Sequence, residues 1–131
     1  MAAPAPPRYT DFTTSFAPHP VSGDLARVTD IDAIKRSVRS LILTDKYERL
    51  LDPKIGSNVR AMLFEPMDGA TAAALQSYIQ ETIRNYEPRA NLIQVQVIPD
   101  YDHNLYTVTI IFGVTFSEQT ATIEFFMERI R

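Results

Sequence analysis

A proline at the end of a long helical pattern constrains this chain most, because it fixes where helix must give way to strand. Before it, apolar residues recur at helical spacing: Ala72, Leu75, Tyr78, Ile79, Ile83 and Tyr86. Pro88 has no amide hydrogen to donate and disfavours helical backbone at Glu87, so the helix must end there. After it, Ile93, Val95 and Val97 alternate with glutamines, as in a half-buried strand. The sequence therefore predicts a helix-to-sheet corner at Glu87-Pro88-Arg89.

Two more helices are predicted upstream of this corner. The first begins near Thr29 or Asp30, either of which can cap its free amides, and its apolar positions continue through Ile42. Its opposite face carries Lys35, Arg36 and Arg39, which we interpret as a solvated face. A connection over residues 45–56 follows, then a short helix that ends at Glu65-Pro66. The long helix then starts near Asp68 or Thr71.

The remainder of the chain has the alternation of strands. One apolar face contains Tyr106, Val108, Ile110, Phe112, Val114 and Phe116. The turn residues 100–104 join this strand to residues 92–98 as an antiparallel hairpin. Residues 122–130 alternate again, but with apolar side chains on both faces, so its own domain or another chain should pair with it. The predicted fold class is α+β, with helices packed on a small, mostly antiparallel β-sheet.

The N-terminal residues predict an extended arm. Residues 1–7 are rich in proline and alanine, and the aromatic residues that follow have no helical period. We therefore divide the chain into an arm over residues 1–28 and a single α+β domain over residues 29–131. The arm should lie across a surface without forming a regular element, and its own domain and a partner are equally plausible surfaces.

Composition excludes several classes of function. A net charge of −3 and a pI of about 5.3 argue against a nucleic-acid-binding surface, which relies on clustered lysine and arginine. No apolar run approaches the ~18 to 20 residues that span a bilayer. The chain has no cysteine, so neither disulfides nor thiolate chemistry is available.

The search for catalytic and metal sites gives weak candidates only. Glu48, Glu65 and Glu87 could be imagined as a carboxylate pair for sugar hydrolysis, but each has a simpler structural role at a corner or a helix end. The segment Asp100-Tyr101-Asp102-His103 offers at most three metal ligands, and turn chemistry explains it better. We predict no catalytic residue, no metal site and no cofactor.

Several spaced motifs resemble one protein family. Asn85-Tyr86-Glu87-Pro88-Arg89 followed by residues 95–99 resembles the Glu-Pro-Arg signature of the baseplate-wedge proteins that initiate the sheath of contractile phage tails. The first half agrees in order and spacing, through Leu41 to Thr44, Glu48-Arg49, Asp52-Pro53, Gly56-Ser57 and Leu63-Phe64-Glu65. The resemblance covers roughly residues 10–116. The family usually has glycine before Glu-Arg, where this chain has Tyr47, so a different local turn is expected.

The resemblance implies a non-enzymatic structural subunit of the baseplate wedge, located in the virion and assembled in the host cytoplasm. Its implied partners are the helical core bundle of other wedge proteins, the tail sheath protein, and hub or tube-side proteins at the centre. About six copies per baseplate would form a closed ring. Type VI secretion baseplates use similar domains. The alternative is a small peptidoglycan hydrolase, a label that relatives of this family have sometimes carried.

Two sets of partner-binding residues follow from the resemblance. Tyr86, Glu87, Pro88 and Arg89 would dock the core bundle, and Arg89 would keep its guanidinium free for the partner, so that Arg89→Ala should impair assembly more than folding. The second set would offer a strand edge to the sheath: Ile123, Phe125, Phe126 and Met127. Truncation after Ser117 should then leave wedges that assemble but recruit no sheath.

Overall fold

The computed structural model describes residues 8–13, 15–115 and 118–130. Two short strands come first, β1 (Thr10–Phe12) and β2 (Arg27–Thr29), and then three helices, α1 (Asp30–Leu43), α2 (Val59–Met62) and α3 (Gly69–Tyr86). Three strands complete the chain: β3 (Ala90–Asp100), β4 (Leu105–Val114) and β5 (Thr120–Glu128). The predicted α+β class is confirmed. Over the described residues, no helix is long and apolar enough to cross a membrane.

The three long strands form one antiparallel sheet in the order β3-β4-β5. Alternate residues of β4 and β5 turn toward the helices and are buried: Tyr106, Val108, Ile110, Phe112, Val114, Ala121, Ile123, Phe125 and Met127. They pack against the inner faces of the helices in one core. The predicted third strand therefore belongs to the domain's own sheet. Phe116 and Ser117 lie outside the described residues.

The hydrogen bonds between β4 and β5 fix which main-chain groups remain unpaired. Val114 N donates to Gln119 O (3.3 Å) at one end of the ladder, and Arg129 N donates to Asn104 O (3.0 Å) at the other. Hydrogen-bonded pairs alternate along an antiparallel ladder, so the odd-numbered residues of β5 bond to β4. The even-numbered residues direct their main-chain groups away from β4: Thr120, Thr122, Glu124, Phe126 and Glu128.

The ends of α3 follow the predicted signals, whereas α2 ends at Met62, before the predicted Glu65-Pro66. Asp68 caps α3 by accepting a hydrogen bond from Thr71 N (2.7 Å), and α3 ends at Tyr86, before Pro88. At α1, however, Thr29 makes no side-chain cap. The carboxylate of Asp30 accepts instead from the amides of Arg8 (2.8 Å) and Tyr9 (3.1 Å). Asp30 therefore binds the backbone of the N-terminal arm through its side chain.

The two strands of the N-terminal arm, β1 and β2, pack on α1 of the same domain. The prediction that it forms no regular element is wrong, because β1 pairs with β2 in a three-residue antiparallel ladder that is too short to produce an alternation signal. The ladder spans the predicted boundary between residues 28 and 29. Arg36 Nη1 also donates to Phe12 O (3.1 Å). Farther out, Phe16 and Val21 are exposed.

Candidate functional site

The predicted corner is built around a buried carboxylate. Glu87 is only 3% exposed, and the end of α3 together with Pro88 directs it inward. Arg89 donates two hydrogen bonds to this carboxylate, from Nε to Oε1 (2.6 Å) and from Nη2 to Oε2 (2.9 Å). The hydroxyl of Ser37 on α1 donates to the same Oε2. The expectation that Arg89 keeps its guanidinium free is therefore wrong, since one edge of the fork is held by Glu87.

Electrostatics explain why this carboxylate stays ionised. Burial raises the pKa of Glu87, but the hydrogen bonds from Arg89 and Ser37 and the charge of Arg89 outweigh burial, and the net pKa lies below its ordinary value. The bonds to Glu87 likewise raise the pKa of Arg89. The two residues thus form an ion pair at neutral pH, and Ser37 connects this pair to α1.

The corner also has an exposed side. The guanidinium of Arg89 stacks on the ring of Tyr9, 5.1 Å from its centroid, and joins the arm to the corner. Tyr86 is half-buried and its hydroxyl donates to Lys54 O (2.7 Å), while Pro88 is exposed. A cleft of about 480 Å³ opens here, lined by both chain halves: Asp11, Phe12, Arg36, Ser37, Ser40, Leu41, Arg49, Ile55, Tyr86, Glu87, Pro88 and Arg89. Partners can reach Pro88 and the outer edge of Arg89, but Glu87 acts only through Arg89.

The second predicted set lies on β5, an edge strand. Ile123, Phe125 and Met127 have buried side chains, and their main-chain groups bond to β4, so the groups that face outward from this edge belong to the even-numbered residues between them. Phe126 is 66% exposed on the opposite face. In the described part of the chain, β4 is the sole strand beside β5. The outer edge of β5 therefore presents the unpaired amides and carbonyls of its five even-numbered residues.

Two grooves follow this edge, between β5 and the helices. The larger has a volume of about 890 Å³ and is lined by Val28, Asp32, Lys35, Arg36, Arg39, Ser40, Leu43, Thr44, Thr122, Ile123 and Glu124. The smaller, of about 230 Å³, lies at the other end of the strand and is mainly apolar: Ile42, Leu43, Val59, Arg60, Leu63, Phe126, Met127, Glu128 and Ile130. Leu43 borders both. A strand placed against β5 would lie along these grooves.

Sequence reasoning missed two residues of the corner. Ser37 lies on α1 one residue before the buried Val38, and nothing in the helical pattern pairs it with a carboxylate 50 positions away. Tyr9 was assigned to an arm of undecided position, although it packs against the core and stacks on Arg89. Both contacts are long-range, so local periodicity carries no signal for them.

The alternative carboxylate and metal sites do not assemble. Glu48 accepts from Asp45 N (2.9 Å), Glu65 is exposed in the turn that follows α2, and Glu87 is held by Arg89. His103 Nδ1 contacts Asp100 Oδ2 (2.8 Å) within an exposed turn. No group of three or more His, Asp or Glu side chains that could hold a metal ion occurs within residues 8–13, 15–115 and 118–130.

Tyr47 stands where the resemblance leads one to expect glycine, and its backbone is glycine-like. Its φ is 70°, in the left-handed region, and the ring is 80% exposed. The loop is tight, because Tyr47 N donates to Pro53 O (2.7 Å), and a Cβ at Gly56 would lie 2.8 Å from the backbone of Asp45. Tyr47 therefore adopts a backbone conformation that glycine adopts more readily.

Replacing Tyr47 by glycine should stabilise the protein by up to about 1 kcal/mol. A left-handed conformation costs an ordinary residue ~1 to 2 kcal/mol, and the extra flexibility of unfolded glycine offsets part of the gain. Urea denaturation of Tyr47→Gly measures the change, and Tyr47→Ala, which keeps the strained Cβ, is the matched control. If Tyr47→Gly is less stable than Tyr47→Ala, the positive φ is unstrained, because only the flexibility of unfolded glycine then separates the two variants.

Comparison with known proteins extends these observations. Residues 28–119 match the family described as baseplate wedge protein gp25. Baseplate wedge protein gp25 of Enterobacteria phage T4 is 38% identical over 91 residues, which are 70% of this chain and 69% of that protein. The region that matches the family, residues 28–119, contains the corner, α1 and the hairpin of β3 and β4.

Solved structures with similar folds include two baseplate chains and a protein described as a tail lysozyme. A Geobacter sulfurreducens protein described as a tail lysozyme has a TM-score of 0.73 at 19% identity, covering 81% of this chain and 98% of its own. A chain of the anti-feeding prophage baseplate has a TM-score of 0.64 at 20% identity, covering 94% and 87%. One in the type VI secretion system baseplate complex has a TM-score of 0.55 at 14% identity, covering 74% and 91%. At these identities the likeness shows the fold alone. The family match and the T4 relative show more: this chain belongs to the baseplate wedge protein gp25 family and is a structural component of a phage tail baseplate.

Proposed function

We propose that this wedge protein docks through its Glu-Pro-Arg corner on the helical core bundle of neighbouring wedge proteins and starts the tail sheath from the edge of β5. The observation that carries the proposal is the unpaired edge itself. Five residues of this nine-residue strand direct their amides and carbonyls outward, and two grooves lie beside them. Strand addition satisfies these groups by main-chain hydrogen bonds.

The other edge of the sheet suits strand addition less well. Strand β3 has a register shift between Leu92 and Gln94 that leaves Ile93 unpaired. It also contains Pro99, which has no amide hydrogen to donate to an added strand. Bulges and prolines are the usual means of protecting an edge from another strand. Strand β5 has neither. This difference favours β5 as the edge that receives sheath.

The corner has the features expected of a docking site for helices. Pro88 is exposed, and the adjacent cleft combines apolar walls at Phe12 and Ile55 with cationic groups at Arg36 and Arg49. The Glu87–Arg89 pair fixes the shape of the cleft without using the outer edge of the guanidinium. Charged groups at such a rim orient a partner more than they add affinity.

The wider assembly follows from the same proposal. The anti-feeding prophage baseplate contains a similar chain, and its structure was determined with six-fold symmetry. We propose about six copies here as well. Hub or tube-side proteins would lie on the inner side of the ring. Assembly would take place in the host cytoplasm, before the tail is complete.

We also propose that the protein has no hydrolytic activity, despite its similarity to a protein described as a tail lysozyme. A glycosidase needs one carboxyl whose pKa is raised so that it can donate a proton. In Glu87 the hydrogen bonds from Arg89 and Ser37 lower the pKa despite the burial of the carboxyl. A proton-donating carboxyl would need the opposite shift. Glu48 already serves its own loop by accepting from Asp45 N.

A proline on the outer edge of β5 tests the sheath proposal. Glu124→Pro removes an amide that points away from β4, and edge strands tolerate proline at such positions. We expect wedges that incorporate the variant normally but recruit at least tenfold less sheath, measured by electron microscopy of reconstituted baseplates supplied with sheath protein. The control Glu124→Thr removes the same carboxylate but keeps the amide. Normal sheath on the proline variant would contradict the proposal.

A further inference from the structure

The helix wall beside β5 has a defined chemistry. Lys35, Arg39 and Leu43 are spaced by four residues on α1, so they lie on one face of the helix, and all three line the larger groove. Thr122, Ile123 and Glu124 line the same groove from β5. The groove is therefore cationic along part of α1 and becomes apolar toward Leu43.

The cationic side chains that line this groove have no ion-pair partner among the described residues. Arg36 donates to Phe12 O, but neither Lys35 nor Arg39 forms an ion pair with a described residue. The acidic residues that also line the groove are Asp32 and Glu124. Glu124 lies on the outer face of β5, because it alternates with the buried Ile123 and Phe125. Two long cationic side chains thus remain available to an occupant.

An added strand would pass close to these side chains. Neighbouring strands lie about 4.8 Å apart, and successive side chains point to opposite faces of a sheet. A strand bonded to the outer edge of β5 would therefore turn every second side chain toward α1. At the level of Thr122–Glu124 these side chains would meet Lys35 and Arg39. At the level of Phe126–Glu128 they would meet the apolar groove around Leu43 and Ile130.

We propose that the strand received by β5 is acidic at one end and apolar at the other. Its carboxylates pair with Lys35 and Arg39 beside Thr122–Glu124, and its apolar side chains fill the smaller groove beside Phe126–Glu128. This inference rests on the proposed strand addition and adds the chemistry of the partner segment. Main-chain pairing alone would accept any extended segment in any register, whereas opposite charges at one end select both sequence and register.

Charge reversal in the groove tests this inference. Reconstituted wedges carrying Lys35→Glu and Arg39→Glu together should bind purified sheath subunits at least tenfold more weakly than wild type. Binding by wild type should weaken between about 0.05 and about 0.3 M NaCl, and the reversed variant should lose most of that salt dependence. The control is Lys54→Glu with Arg84→Glu, which changes the net charge equally at exposed positions outside the groove. Thermal melting checks the fold, and the milder Lys35→Gln with Arg39→Gln decides the matter if the reversed variant melts early.

The outcomes separate this inference from the proposed function. If the reversed and neutralised variants bind sheath like wild type while Glu124→Pro abolishes binding, the charge selection is overturned and the strand addition stands. If Glu124→Pro also binds normally, the edge of β5 is not used and both ideas fall. Loss of binding in the charge-reversed variant, with the exposed control unchanged, supports both.

Discussion

Arg89→Ala should lower the free energy of unfolding by about 2 to 3 kcal/mol, because it leaves the buried carboxylate of Glu87 without its counter-charge. Breaking a fully buried ion pair costs ~3 to 5 kcal/mol, and we expect less here since the Arg89 side chain is 30% exposed. Loss of the stacking on Tyr9 adds to the effect. Urea denaturation at neutral pH measures it.

Two companion variants separate charge from packing. Glu87→Gln with Arg89→Ala removes the buried charge together with its partner and should recover a large part of the stability. Arg89→Lys keeps the charge but cannot make both bonds, so its stability should be intermediate. If Arg89→Ala is as stable as wild type, the pair does not hold the corner and Arg89 serves a partner only.

The same pair has a defined pH dependence. Because the folded pKa of Glu87 is lowered, its contribution is complete above the ordinary carboxyl pKa of about 4.3 and is lost as the pH falls through the folded value. Wild type should therefore lose its advantage over the doubly substituted variant in acid. A constant difference across this range would contradict the ion-pair account.

Truncation after residue 117 should prevent folding, whereas the sequence alone suggested that wedges would still assemble. The deleted segment contributes Ala121, Ile123, Phe125 and Met127 to the core and pairs along the whole of β4. The three larger side chains alone provide about 1.5 to 3 kcal/mol each, a sum comparable to the total stability of a small domain. Circular dichroism and gel filtration test this prediction. A folded, monomeric truncation product would show that β5 is dispensable for the domain.

A milder change controls for nonspecific effects of altering β5. Phe126→Ser changes an exposed side chain of the same strand and leaves all four inward positions intact. It should change the free energy of unfolding by no more than about 0.5 kcal/mol. Instability of this variant would indicate that the outer face of β5 is also part of the folded core.

The elements were predictable where one local pattern decided them. Pro88 ended the long helix, the alternation of residues 106–114 gave β4, and Asp68 capped α3. The contacts at the corner were not predictable in the same way. Whether Arg89 faces a partner or Glu87 depends on Ser37 and the depth of burial, which only the packing of α1 against α3 establishes.

The same limit applies to β5 and the arm. Apolar residues on both faces indicated correctly that residues 122–130 needed a neighbour, but the pattern could not tell β4 from another chain. In the structure the two edges of β5 differ, because its odd-numbered amides bond to β4 and its even-numbered amides point away from β4. For the arm, Asp30 was a reasonable helix cap, and its use by the amides of Arg8 and Tyr9 depends on a turn of the chain that has no local signature.

Residue-resolved hydrogen exchange of β5, in the free protein and in sheathed particles, tests the central claim most directly. In the free protein, the amides of Ile123, Phe125 and Met127 should be protected by β4, while those of Thr122, Glu124, Phe126 and Glu128 should exchange rapidly. In sheathed particles both sets should be protected, and in wedges without sheath only the first. If the even-numbered amides exchange as rapidly in sheathed particles as in the free protein, the edge of β5 does not receive the sheath.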